Sequence, residues 1–143
     1  MIYRHRVIKQ ADIALAMFLL GDEFSLEQKK RNFDFYDPLT TGDSSRAVSI
    51  QSILASEIGY QERAMEYFRY AARMDYADLG GNVKDGLHIA SMGGTLMTAI
   101  YGTAGFRDYV VSFSFSPRLP PGVNFMRFRL DLRGQQLEVE MTE

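Results

Sequence analysis

The sequence predicts a mainly α-helical fold that ends in a small antiparallel β part. Apolar residues recur at helical spacing through roughly the first hundred positions, and after Gly105 the period changes from 3.6 to 2. Three polar clusters interrupt the helical pattern: Lys9-Gln10-Ala11-Asp12, Thr40-Thr41-Gly42-Asp43-Ser44-Ser45 and Asp85-Gly86-Leu87-His88. Each stands where a loop runs into an apolar-periodic helix. Such junctions carry unpaired N–H groups and the positive end of the helix dipole, which suit anions and sugar hydroxyls.

The first helix is expected from about Lys9 to Phe24, with Ile13, Met17 and Leu20 on one stripe and a stop near Gly21. Ser25 and Gln28 have capping-box spacing, so a second helix starts there and runs to about Tyr36, before Pro38. Asp43, Ser44 and Ser45 offer side-chain caps for a third helix carrying Ile50, Ile53, Leu54 and Ile58, broken by Gly59. A fourth carries Ala64, Tyr67, Phe68, Ala71 and Met74 on one face, with charges opposite. Gly80-Gly81-Asn82 makes a loop. Leu87 to about Tyr101 is small, apolar and glycine-containing, which predicts a helix buried on most sides.

Beyond Gly105, Val111, Phe113 and Phe115 alternate with serines, the pattern of a strand with one buried face. Pro117 to Gly122 is a turn. Phe128, Leu130 and Leu132 alternate with arginines and Asp131, and Leu137, Val139 and Met141 alternate with Glu138 and Glu140. Arg133-Gly134-Gln135 supplies a hairpin turn between them. The basic strand should face the acidic one, at about 0.2–1 kcal/mol per pair. The chain is thus expected to divide into an all-α part, 1–107, and a β part, 108–143. Two or three strands cannot bury both faces, so the β part needs the helices or further strands.

With 143 residues, 46% hydrophobic and 24% charged, the chain has the composition of a globular domain. Its net charge of -2 and lack of a basic run argue against nucleic acid or an anionic membrane surface as a partner. No cysteine is present, so disulfides and thiolate metal sites are excluded; His5 and His88 alone make no metal site. No apolar run reaches a membrane span and no signal-peptide pattern opens the chain, so a cytoplasmic location is the default expectation.

Lys9-Gln10-Ala11-Asp12, the stretch Phe33 to Thr41, Asp43-Ser44-Ser45, Gly80-Gly81-Asn82 and Asp85 to Ser91 together resemble glycoside hydrolase family 65. Phe115-Ser116-Pro117-Arg118-Leu119-Pro120 resembles that family's entry into its C-terminal β domain. The resemblance covers nearly the whole chain in order. It implies the last helical hairpins of an (α/α)6 barrel followed by strands of a C-terminal β-sheet domain. Family chains are several times longer, so the resemblance also implies a fragment, or the product of a truncated reading frame.

Members of the family are maltose, trehalose and kojibiose phosphorylases and related hydrolases. The phosphorylases cleave an α-glucoside with inversion: a glutamic acid protonates the leaving oxygen, and phosphate attacks in place of activated water. The resemblance implies phosphate contacts at Thr41, Gly42, Ser44, Ser45 and His88, and sugar contacts at Lys9, Gln10 and Asp37. Aspartate at 37 replaces a longer glutamate, which puts direct sugar contact in doubt and suggests a bridging water or an altered acceptor specificity. Gly42 and Arg46-Ala47 also depart from the common pattern; Arg46 is expected to face solvent, and Asp12 to cap the first helix or orient Lys9.

The general acid is expected upstream, so no catalytic residue is assigned in this chain, which alone should be inactive. Inorganic phosphate is the co-substrate; no cofactor or metal is expected, and family members imply a homodimer. Without the resemblance, Asp43-Ser44-Ser45 reads as a plain helix cap, Lys9 as a snorkelling surface residue and His88 as structural. The alternatives to the phosphorylase are a hydrolase of the same family and a non-catalytic helical interaction module.

Overall fold

The structure is a computed structural model that describes residues 5–42, 44, 46–109 and 112–143. Helices α1 (Asp12–Leu19), α2 (Leu26–Tyr36), α3 (Ala47–Glu57), α4 (Gln61–Arg73) and α5 (Ile89–Met97) follow one another, and α5 continues into a π-helical stretch, Thr98–Thr103. Strands β1 (Arg107–Tyr109) and β2 (Ser112–Ser114) form one antiparallel pair, β3 (Phe125–Leu132) and β4 (Gln135–Thr142) another. The expected class, mainly helical with a small antiparallel β part, is what the chain adopts. No described helix is long and apolar enough to cross a membrane.

α3 is the centre. Ile53, Leu54 and Ala55 are wholly buried, and its neighbours α1, α4 and α5 pack around it. Side-chain contacts fix the directions of the helices. Ser49 meets Gly94 and Thr98 while Ile53 and Ser56 meet Gly102, so α3 and α5 run parallel. Ser52 bonds the Ala64 carbonyl and Ser91 that of Ala71, so α4 returns between them. Gln10 and Leu15 share a recess with Ser44, Ala47 and Ile50, whereas Phe18 stacks on Tyr101. α1 therefore has the same direction as α3 and α5. Lys29 near the start of α2 pairs with Glu57 at the end of α3, which makes α2 the return from α1. The result is a row of helical hairpins, the arrangement expected of a sector of an (α/α)6 barrel.

Several local expectations hold. Ser25 and Gln28 form a complete capping box at α2, and Pro38 sits in a 3-10 turn, Asp37–Leu39, that ends it. β3 and β4 pair with the basic face of one against the acidic face of the other, as expected: Arg127 lies opposite Glu140 and Arg129 opposite Glu138, with Arg129 at 3.3 Å from Glu138. Arg133 and Gly134, both at positive φ, close the two-residue turn.

Others need correcting. α1 starts at Asp12, so Asp12 is its first residue and caps nothing, and the helix stops at Leu19 before a 3-10 turn, Gly21–Glu23. Its buried face is Ala11, Ala14, Met17 and Phe18; Ile13 and Leu20 are exposed. α5 is not buried on most sides. It buries the small residues Ser91 and Gly94 against α3 and α4 and leaves Ile89, Met92 and Leu96 exposed, because close helix approach is made by small side chains. Val111 lies outside the described residues. Phe113 and Phe115 pack on Phe106, with centroids 6.4 and 5.1 Å away, but Phe113 remains exposed, since two short strands offer little cover.

Candidate functional site

The first two polar clusters are stitched together by backbone. Ile8 donates to the Leu39 carbonyl at 2.8 Å and accepts from the Thr41 N–H at 2.9 Å, a parallel bridge between Ile8 and Thr40. Lys9 and Gln10, both exposed, thus emerge beside the exposed Thr41 and the half-buried Gly42. Gly42 turns the chain at φ +72°, and among the described residues, its chain neighbours aside, no atom lies within 4 Å of where its Cβ would be.

Ser44 opens α3 with its carbonyl, which accepts from the Ala47 N–H at 2.9 Å, and its side chain forms no cap among the described residues. That corrects the expected side-chain cap at Ser44; Asp43 and Ser45 lie outside the described residues. Arg46 is exposed, as expected, at the rim of the recess that Gln10, Asp12, Leu15 and Ser44 line. Because α1, α3 and α5 are parallel, their N-termini share one end of the molecule. No described side chain caps any of the three; of the helices that start at the opposite end, α2 has a full capping box and α4 has no side-chain cap. First-turn N–H groups of α1 and α5 thus have no side-chain acceptor among the described residues.

His88 is the residue preceding α5, so it belongs to the same end. Its ring Nδ1 lies 2.6 Å from Asp75 Oδ1, and its N–H donates to Asp75 Oδ2 at 2.9 Å. The bond to His88 holds the Asp75 carboxyl below its usual range. Asp75 was not legible as a site residue, because it lies 13 residues before His88 across an irregular loop and has no motif spacing to it.

Asp37 occupies a different environment. Its Oδ1 accepts from Gln51 Nε2 and the Tyr67 hydroxyl, each at 2.7 Å, and Oδ2 faces Arg63 at 3.2 Å. The side chain is 8% exposed, and burial, then the Asp37 bond, raise the Tyr67 hydroxyl pKa. Gln51 is buried with its Oε1 unpaired, and it lines a small recess with Gln10, Tyr36, Asp37 and Thr40. Gln51 was also missed: in sequence it is one polar residue in an apolar helix. Among the described residues no cluster of His, Cys, Asp and Glu could hold a metal.

Residues 1–97 match the glycosyl hydrolase family 65 central catalytic domain. The chain belongs to glycoside hydrolase family 65. Residues 106–143 match the C-terminal domain of the same family. Among family 65 relatives, an alpha,alpha-trehalose phosphorylase of Thermoanaerobacter brockii is 44% identical over 142 residues, 99% of this chain and 18% of the relative. A maltose phosphorylase of Bacillus subtilis is 36% identical over 142 residues, 99% of this chain and 19% of its own. The solved structure of a putative kojibiose phosphorylase from human microbiome superposes with a TM-score of 0.93 at 33% identity, covering 99% of this chain and 21% of that one. The chain thus spans about a fifth of the length of the family 65 proteins it matches.

Proposed function

We propose that the chain carries the phosphate-binding end and part of the sugar site of an inverting α-glucoside phosphorylase, which converts a disaccharide and phosphate to β-glucose 1-phosphate and a free sugar. The observation that supports it most is the junction of Gln10, Thr41, Gly42 and Ser44 through the Ile8–Thr40 bridge, at the end where no described side chain caps α1, α3 or α5. The hydroxyls of Thr41, Ser44 and Ser45 and first-turn N–H groups donate to phosphate oxygens, and Gly42, without a side chain, permits close backbone approach to the anion. His88 supplies a ring nitrogen. Fixed donors of this kind replace the anion's hydration and hold it in line for attack.

In this reading Lys9 and Gln10 bond sugar hydroxyls. Asp37, with its oxygens committed to Gln51, Tyr67 and Arg63, acts on the sugar through a bridging water. The general acid is assigned to no residue of this chain, so the isolated 143-residue chain cleaves no disaccharide. Titration of the chain with inorganic phosphate, against chloride at equal ionic strength, tests the site. Amide resonances of Thr41, Gly42, Ser44, Ser45 and His88 should move with phosphate and not with chloride. Equal response to both salts, or none, rules out a phosphate site.

A further inference from the structure

The irregular segment between α4 and α5 closes on a single carboxylate. Both oxygens of Asp75 bind His88, one at the backbone N–H and one at Nδ1, and the Asp75 side chain is only 11% exposed. An ionised carboxylate accepts and cannot donate, so the short contact at 2.6 Å requires the ring proton on Nδ1. Nε2 is then the nitrogen left for another partner, and among the described residues it has none. No other charged side chain among them bonds the ring.

We propose that Asp75 is a positioning residue for the anion site, fixing His88 as the Nδ1–H tautomer and so presenting Nε2 to phosphate. The inference rests on the phosphate-binding reading above. In its neutral form the presented Nε2 accepts the P–OH hydrogen of monohydrogen phosphate, and in the imidazolium form it donates to a phosphate oxygen. Both bonds use the same ring orientation, so the site holds the anion whichever partner carries the shared proton. The second bond of Asp75, to the His88 N–H, fixes the backbone from which the ring projects. This division of labour, with one group touching the ligand and a carboxylate setting its tautomer, is general in histidine sites.

The test is the 15N spectrum of the His88 ring in the full 143-residue chain and in Asp75→Asn. Asparagine keeps the shape and can still accept from the His88 N–H, but its amide donates to Nδ1 and drives the ring proton to Nε2. The wild-type chain should show a protonated Nδ1 and a bare Nε2, the variant the reverse. Inorganic phosphate should move the wild-type Nε2 resonance more than Nδ1. A wild-type proton on Nε2, or a tautomer unchanged in Asp75→Asn, overturns the inference whatever phosphate does. Phosphate shifts at Gly42 and Ser44 with an unmoved Nε2 also overturn it, and reduce Asp75 to a loop brace. No phosphate response at any of these groups removes the phosphate site itself, and this inference with it. The wild-type measurement decides the tautomer even if the variant fails to fold.

Discussion

Gly42 joins the segment bridged to Ile8 to the start of α3, and it does so at φ +72°, where an L side chain is strained. Since no described residue beyond its chain neighbours comes within 4 Å of the missing Cβ, substitution by alanine should carry the backbone cost alone, about 1–2 kcal/mol. Urea unfolding of Gly42→Ala should give an unfolding free energy lower by that amount, and an unchanged value would mean that the loop relaxes freely. The turn at this position could be expected from Thr-Gly-Asp-Ser in the sequence, and the helix that follows it did form. What could not be read was the acceptor of each polar group. Ser44 uses its carbonyl rather than its hydroxyl, Asp37 is enclosed by Gln51, Tyr67 and Arg63, and His88 is held from 13 residues away. Spacing reports which residues share a helix face and is silent about partners that only tertiary folding supplies.

Among the elements, α3 departs most from a simple apolar stripe, because it buries Ser49, Gln51, Ser52 and Ser56 together with its aliphatic residues. The hydroxyls of Ser52 and Ser56 satisfy neighbouring carbonyls, Ser56 bonding that of Gly102 at 2.9 Å and Ser52 that of Ala64 at 2.6 Å, whereas the buried Ser49 hydroxyl has no partner among the described residues. At Gly94 the approach is so tight that a Cβ would collide with the Ser49 side chain. Gly94→Ala should therefore destabilise the chain by about 1–3 kcal/mol, the usual cost of overpacking. Adding Ser49→Gly should restore part of that loss in a double-mutant cycle, whereas strict additivity would show that the two sites do not meet. At the far end of α3, Glu57 bridges Lys29 at 2.5 Å and Arg107 at 2.9 Å, tying α2 and β1 to the central helix. The Lys29 and Arg107 side chains are 4% and 10% exposed, so removing the carboxylate leaves two cations with little solvent. Glu57→Gln should cost about 3–5 kcal/mol in urea unfolding. A loss below ~1 kcal/mol, typical of a surface pair, would contradict that picture. Periodicity located α2, α3 and α4 well, because each carries a strong cap, breaker or apolar stripe. It misjudged the faces of α1 and α5: α1 buries Ala14 and Phe18 beside the expected Met17 while Ile13 and Leu20 are exposed, and α5 buries Ser91 and Gly94 while its larger apolar residues face outward.

At the scale of the whole molecule, the order of helices and the change to strands were legible because they follow from period and turn chemistry alone. The shared polarity of α1, α3 and α5 was not. It arises from which faces pack, and it is what gathers three separated polar clusters at one end. The return helices α2 and α4 are held to that end by the Asp37 network, and this gives the molecule a predictable alkaline limit. Burial, with an Asp37 contribution, raises the Tyr67 hydroxyl pKa, the bond to Asp34 raises that of Tyr60, and burial raises that of Tyr109. Unfolded, all three ionise near the ordinary value of 10.0. The folded chain thus keeps protons that the unfolded chain releases. Its stability from these groups is complete below pH 10 and is lost as pH climbs from there through the folded values. Unfolding free energy measured in urea should accordingly be level near neutrality and fall steadily above pH 10. In Tyr67→Phe the hydrogen bond to Asp37 is gone, so the chain should be less stable at pH 7 by about 1–2 kcal/mol. Its alkaline decline should also be shallower than wild type, because one of the three proton-retaining hydroxyls has been removed. An alkaline slope equal to that of wild type would place the loss elsewhere and detach Tyr67 from the network that holds α4 to Asp37.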